Sequence, residues 1–131
     1  LEQDERNHRI NTGMNFQTED ERVFAIGDCA LIDQPGENPA PPTAEAAWEA
    51  ADHVGTNMAR AMRGQPLEDW TFQSKGTAIS VGEEAVAHDV KYMPMETFSG
   101  FLARNLKKAI AARWIASITG PGRAAKAWPD M

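Results

Sequence analysis

The sequence predicts an α+β fold: an apolar strand, an alanine-rich helix, a small antiparallel β region and a C-terminal amphipathic helix, in that order. Three observations carry this. Residues 43–63 and the first turns of 97–120 repeat apolar side chains at three- and four-residue steps, the helical period. Residues 70–92 alternate instead, as strands do. Val23-Phe24-Ala25-Ile26, a run of four apolar residues, stops abruptly at Gly27-Asp28.

The elements follow in order. The first twenty residues are polar, with Ile10-Asn11-Thr12-Gly13-Met14 as a short strand and turn. Residues 23–26 read as a buried strand, bounded by charge on one side and glycine on the other. Residues 33–42 are rich in proline and glycine and read as a loop. Thr43 is the expected N-cap, and Glu45 sits in the first turn, where the helix dipole favours an acid. Ala47, Ala50, Ala51, Val54, Met58, Ala61 and Met62 give that helix one apolar face. Gly64 and Pro66 stop it. Further on, Trp70 and Phe72 alternate, as do Ile79 and Val81, while Val86, His88, Val90 and Tyr92 share a face of the last strand. Gly82-Glu83-Glu84 is the expected hairpin tip. In the last helix Phe98, Phe101, Leu102, Leu106 and Ala109 cluster on one side and Arg104, Lys107 and Lys108 fall opposite. After Ala112 it is apolar nearly all round. The natural divisions are 1–66, 67–96 and 97–131.

Composition narrows the class. At 131 residues and 42% hydrophobic, the chain supports one core more readily than two. A single cysteine, Cys29, excludes an intramolecular disulfide and fits a reducing compartment. No signal-type apolar segment opens the chain, and no run reaches the roughly 20 apolar residues of a spanning helix. The net charge of −6 hides an asymmetry: residues 1–96 hold 18 acidic and 7 basic side chains, residues 97–131 hold 6 basic ones against Asp130 alone. A basic tail on an acidic body points to an anionic surface or an acidic partner. No basic-aromatic array of the nucleic-acid type stands outside that tail, so no nucleic acid is expected. His8, His53 and His88 lack metal-ligand spacing, and no metal site is expected. Gly120-Pro121-Gly122-Arg123-Ala124-Ala125 follows a helix and carries a proline, where a dinucleotide fingerprint needs a strand before it.

Chemistry is suggested at Gly27-Asp28. A glycine there lets a ligand approach the backbone, and an aspartate accepts hydrogen bonds from sugar-like hydroxyls. A strand ending in a simple turn explains the same residues. What tips the balance is the wider pattern: Thr18, four residues, then Val23 to Asp28 resembles the second flavin motif of the FAD-dependent pyridine nucleotide–disulfide oxidoreductases. The resemblance implies that Asp28 bonds a ribityl hydroxyl of FAD, with Gly27 beside it. It also implies that the helix opened by Thr43 and Ala44 points its N-terminus at the pyrimidine end of the flavin ring, where free amides favour negative charge.

Within that superfamily the sequence most resembles type II NADH dehydrogenases, by the helix 43–64 with its glycine-proline exit, the 75–87 hairpin and the basic C-terminal helix. The resemblance implies the C-terminal portion of a flavoprotein with two dinucleotide folds. On this reading 1–66 ends the FAD domain, 67–96 forms the hairpin region and 97–131 docks on a membrane or partner. NADH and FAD, a quinone-like acceptor, the N-terminal remainder of the enzyme and, through 98–118, the inner face of the cell membrane are the implied partners. A second copy of the chain is a further one. The family's quinone motif, Ala-Gln-x-Ala-x-Gln, is altered: Glu45 and Glu49 stand in place of the glutamines, and Ala47 keeps the second alanine. A sulfide:quinone oxidoreductase-like enzyme and a non-catalytic dimerisation or membrane-docking module remain alternatives. Neither nucleotide fingerprint lies in the chain, so alone it is expected to be inactive and to hold FAD weakly or not at all.

Overall fold

In the computed structural model, residues 1–36, 38–81, 84–91 and 96–130 are described. The architecture is α+β, as predicted, and the chain divides into two compact units, Leu1–Ser74 and Lys75–Met131.

The first unit rests on a parallel strand pair, β1 (Ile10–Thr12) and β2 (Ala30–Ile32), with Ile10 opposite Ala30. The helix α1 (Ala44–Met62) is bounded as the sequence predicts. Thr43 Oγ1 accepts from the Ala46 amide at 3.3 Å, satisfying one of the donors that a helix start leaves unpaired. At the other end Gly64 takes φ +65°, and the amides of Gly64 and Gln65 donate back to Ala61 and Arg60, each at 3.0 Å. This is a Schellman ending, which needs the left-handed conformation glycine adopts without strain. The core gathers Phe16, Ala25, Ala30, Ile32, Ala40, Ala46, Ala50 and Trp70, with the Phe16 and Trp70 rings 5.4 Å apart.

Three expectations are corrected in this unit. The helix buries Ala46, Ala50 and Asn57, with Val54 partly covered, while Met58 is half exposed and Met62 is 89% exposed. The buried stripe is thus rotated toward the smallest side chains, which let the helix approach its neighbours most closely. Residues 23–26 are not a sheet strand: Phe24 makes only an isolated bridge to Gln17, and the parallel pairing begins at Ala30. The cause is Thr18. Its hydroxyl donates to the Asp20 carbonyl and accepts from the Asp20 amide, while its own amide donates to Val23, so the chain folds back on itself in a tight hairpin. Finally, Trp70 and Phe72 do face the same side, with rings 6.0 Å apart, but no described strand pairs with theirs. The side chain of Gln34 stands in for a ladder partner, accepting from the Phe72 amide at 2.6 Å and donating to the Trp70 carbonyl at 3.2 Å.

The Thr18 turn carries an exposed ion pair in which Arg22 donates to both oxygens of Asp20, at 3.0 and 2.8 Å. The Arg22 guanidinium, then its amide, hold the Asp20 carboxyl below the usual carboxylate range. A depressed folded pKa means the pair contributes fully above the unfolded value of about 3.9 and loses its contribution as pH falls through the lower folded value. Global stability should hardly register this, because the pair lies in water. The expected signal is local: the Arg22 amide and guanidinium resonances should shift only below about pH 4. A shift centred at or above the ordinary carboxylate value would contradict the pairing.

The second unit is a three-stranded antiparallel sheet, β3 (Thr77–Val81), β4 (Glu84–His88) and β5 (Thr97–Ser99), in that spatial order. The helices α2 (Phe101–Thr119) and α3 (Pro121–Ala127) follow, with Pro121 starting α3 directly after Gly120. Of the expected hairpin tip, Glu84 belongs to β4, paired with Val81, and Gly82 and Glu83 lie outside the described residues. Of the expected shared face, Tyr92 lies outside them too, and the buried side of β4 is Ala85 and Ala87 rather than Val86 and His88. Phe98 is not helical: it lies in β5 opposite Ala87, because Gly100 at φ +68° turns the chain before the helix begins. Phe98, Ala85, Ala87 and Ala103 form the core, with Leu106 packed on it. Phe101 is 78% exposed, and Leu102, Ile110, Trp114 and Ile118 are open too. Among the described residues no helix is long and apolar enough to cross a membrane.

Candidate functional site

The Gly-Asp pair sits on a single 3-10 turn, Gly27–Cys29, between extended Ile26 and β2. Gly27 has φ +74°, a conformation strained for any other residue. It places the chain so that a Cβ at Gly27 would lie 3.7 Å from the Ala47 Cβ. Ala47 is therefore the α1 residue that lies beside the Gly27 backbone. The sequence offers no signal for that role beyond a small side chain in a helix.

Asp28 is exposed, and among the described residues nothing donates a hydrogen bond to its carboxylate. The Ala30 amide closes the turn onto the Gly27 carbonyl, and the Cys29 thiol donates to the Ile26 carbonyl at 3.4 Å. The Gly27 carbonyl and the Cys29 thiol are thus used within the turn, and the Asp28 side chain is not. An acceptor-only group, turned to solvent from a rigid support, suits a hydroxyl-bearing ligand.

Thr43 and Ala44 divide their tasks. The Thr43 amide donates to Pro41 at 2.9 Å, its carbonyl accepts from Ala47, and its hydroxyl caps Ala46. Helix geometry gives the Ala44 amide no intrahelical acceptor at this end, whereas the Thr43 amide, to which the sequence also points, donates to Pro41. Glu45 and Glu49 are half-buried, one turn apart on α1. The structure thus brings the Gly27–Cys29 turn against α1, with Ala47 beside Gly27. This donor and acceptor set fits the sugar-alcohol arm of a flavin at Asp28 and an electron-rich group at the helix start.

No family model matches the chain. Named relatives do. The type II NADH:quinone oxidoreductase of Staphylococcus epidermidis is 35% identical over 106 residues, 79% of this chain and 25% of that protein. That of Staphylococcus saprophyticus is 34% identical over the same length. That of Staphylococcus aureus is 33% identical over 108 residues, 81% of this chain and 26% of the relative. The matched part is their C-terminal region.

The chain belongs with type II NADH dehydrogenases, as a C-terminal portion.

It spans about a quarter of the length of the relatives it matches. Within this type II NADH dehydrogenase-like chain, the Gly27 turn and the start of α1 share one compact unit, and the sheet with α2 and α3 forms the other.

Proposed function

We propose that this chain supplies the ribityl-side contact and the membrane-facing end of an enzyme that passes electrons from NADH through FAD to a quinone-like acceptor. One observation carries the reading: an exposed carboxylate, Asp28, stands on a glycine-enabled turn packed against a helix start, and the described residues give it no donor. Bound FAD would supply the two-electron redox chemistry. The chain's own residues do the rest. Asp28 accepts from ribityl hydroxyls. Gly27 keeps the approach open. The Ala44 amide, at the positive end of α1, favours negative charge on the group before it. Glu45 and Glu49 face the acceptor side, and a glutamate there donates to a quinone carbonyl only when protonated. The N-terminal remainder of the enzyme provides the other side of the cofactor, so the 131-residue chain alone is expected to purify colourless and inactive. Residues 98–118 lay their exposed apolar side chains, flanked by Arg104, Lys107, Lys108 and Arg113, on the inner face of the cell membrane.

The test is Asp28→Ala in the full-length enzyme. Losing one hydrogen bond to a charged acceptor, worth about 1.5–3 kcal/mol, should weaken flavin retention roughly 10- to 100-fold. Flavin absorbance per protein after gel filtration reads the effect, and unchanged retention with unchanged turnover refutes the assignment. A non-catalytic docking module is the second reading, favoured by the open apolar residues of α2. Flotation with liposomes by a full-length protein that never binds flavin would decide for it.

A further inference from the structure

We propose that His53 is where protons enter the acceptor side: its imidazole takes a proton from water and passes it to Glu49, which gives it to the quinone-like acceptor. The inference rests on the acceptor-side role given above to Glu45 and Glu49, and adds the residue that resupplies it. A glutamate donates only while it carries a proton, and it loses that proton whenever it donates. Reducing a quinone to a quinol takes two electrons and two protons. With both electrons and one proton coming from the reduced flavin, the second proton is drawn from water in every cycle. Imidazole suits that traffic, because it ordinarily gains and loses a proton near neutrality.

Glu45, Glu49 and His53 follow one another at four-residue steps on α1, so they form one row, with successive Cβ atoms about 5–6 Å apart. Exposure falls along the row: His53 lies in solvent, Glu49 and Glu45 are half-buried, and the helix start comes next. The ring is held at the Glu49 end. Its Nδ1 lies 3.3 Å from the Glu49 carbonyl oxygen. A carbonyl only accepts, so Nδ1 carries the hydrogen of that bond, and the neutral ring keeps Nε2 as its proton acceptor. Among the described residues no hydrogen bond occupies Nε2. Trp70, 3% exposed, backs the imidazole with ring centroids 6.4 Å apart. His53 is thus fixed on one side and open to water on the other. One helical turn is within reach of transfer through a single water. Only protons move: Nε2–H breaks as the Glu49 carboxyl O–H forms, that O–H breaks as the quinol O–H forms, and water restores Nε2–H.

The test is His53→Gln in the full-length enzyme, since glutamine can still donate to the Glu49 carbonyl but cannot relay a proton. Turnover with a water-soluble benzoquinone should fall about tenfold or more. That is short of the roughly 100-fold low end for a directly positioned acid, because water also reaches half-buried carboxyls. Turnover with hexacyanoferrate(III), which takes electrons singly and no proton, should hardly change. Added imidazole should restore quinone turnover in the variant and leave the wild type as it was. Independently of activity, nitrogen NMR of labelled histidines in the wild-type enzyme, above the ordinary imidazole range, should show His53 protonated at Nδ1. Equal losses with both acceptors, no loss with the quinone, no response to imidazole, or a ring protonated at Nε2 would each overturn the proposal. A wild-type enzyme that holds flavin yet never reduces the quinone overturns the acceptor reading itself, and this inference with it.

Discussion

Alanine at Gly76 is expected to cost the three-stranded sheet about 3 kcal/mol or more, which for a small domain is a large share of its stability. Gly76 has φ +116°, where side chains are rarely found, and a Cβ there would sit 2.6 Å from the Asp89 carbonyl oxygen and from the Val90 Cα. Both are backbone atoms, so neither can swing aside as a side chain would. The crossing is also pinned: the Lys91 amide donates to the Lys75 carbonyl at 2.9 Å, and the Asp89 amide to Glu96 at 2.7 Å. Asp89 is itself left-handed, at φ +51°. Moving Val90 out of the way pulls on both bonds at once, and with them the end of β4. Strain and overpacking each contribute about 1–3 kcal/mol. Hydrogen exchange at the Ala85 and Ala87 amides is the direct measurement. The control is Gly55→Ala, a helical position with nothing within 4 Å of the new methyl, where alanine should add stability of about 1 kcal/mol. Equal exchange rates in wild type and Gly76→Ala would show that the crossing is looser than described.

What could be read in the sequence was local. Thr43, Gly64 and Pro66 fix the limits of α1 because caps and stops act within a few residues. Alternation placed β3 and β4, and the Gly27-Asp28 step marked the turn that now carries the candidate site. The failures share a cause: each depends on a partner distant in sequence. Val23 to Ile26 have strand composition, but the Thr18 turn gives them Gln17 as neighbour and leaves the sheet to Ala30. Trp70 and Phe72 have strand alternation, but the Trp70 amide donates to the Met14 carbonyl and the Trp70 carbonyl and Phe72 amide meet the side chain of Gln34, 36 to 38 positions away. Phe98 fits the apolar side of a helix on a wheel, and only Gly100, whose φ the sequence does not print, ends that extrapolation. The site shows the same limit. Asp28 was legible as an acceptor, whereas the use of the Thr43 amide by Pro41, and the role of Ala47 behind Gly27, needed coordinates. Asn57 was hidden most completely, since a polar residue on an alanine-rich helix reads as part of the solvent face.

Replacing Asn57 should destabilise the first unit by about 3–4 kcal/mol, and the choice of substitute should reveal why. Its side chain is 1% exposed. The Nδ2 group donates to the Asn15 carbonyl at 3.1 Å and to the Glu68 carbonyl at 2.9 Å, while Oδ1 accepts from the Glu68 amide at 2.9 Å. One amide thus ties α1 to the loop after β1 and to the segment after Pro66, both of which lack a ladder there. Asn57→Ala leaves three backbone groups without their partner, each worth about 1–3 kcal/mol if no water reaches it, and opens a cavity besides. Asn57→Asp keeps the shape and the bond from Glu68 but turns both donors into an acceptor facing two carbonyls. An ionised carboxylate there is repelled and desolvated, so its folded pKa must lie above the unfolded value near 3.9. With that sign, the penalty is smallest below about pH 4, where a neutral carboxyl donates to one carbonyl, and grows as pH rises. Urea denaturation of wild type, Asn57→Ala and Asn57→Asp at pH 7 and pH 4 separates the contributions: alanine should be equally damaging at both, aspartate far worse at pH 7. If aspartate matches wild type at pH 7, the amide is not the donor that joins these three segments, and the packing of Trp70 and Phe16 alone must hold them.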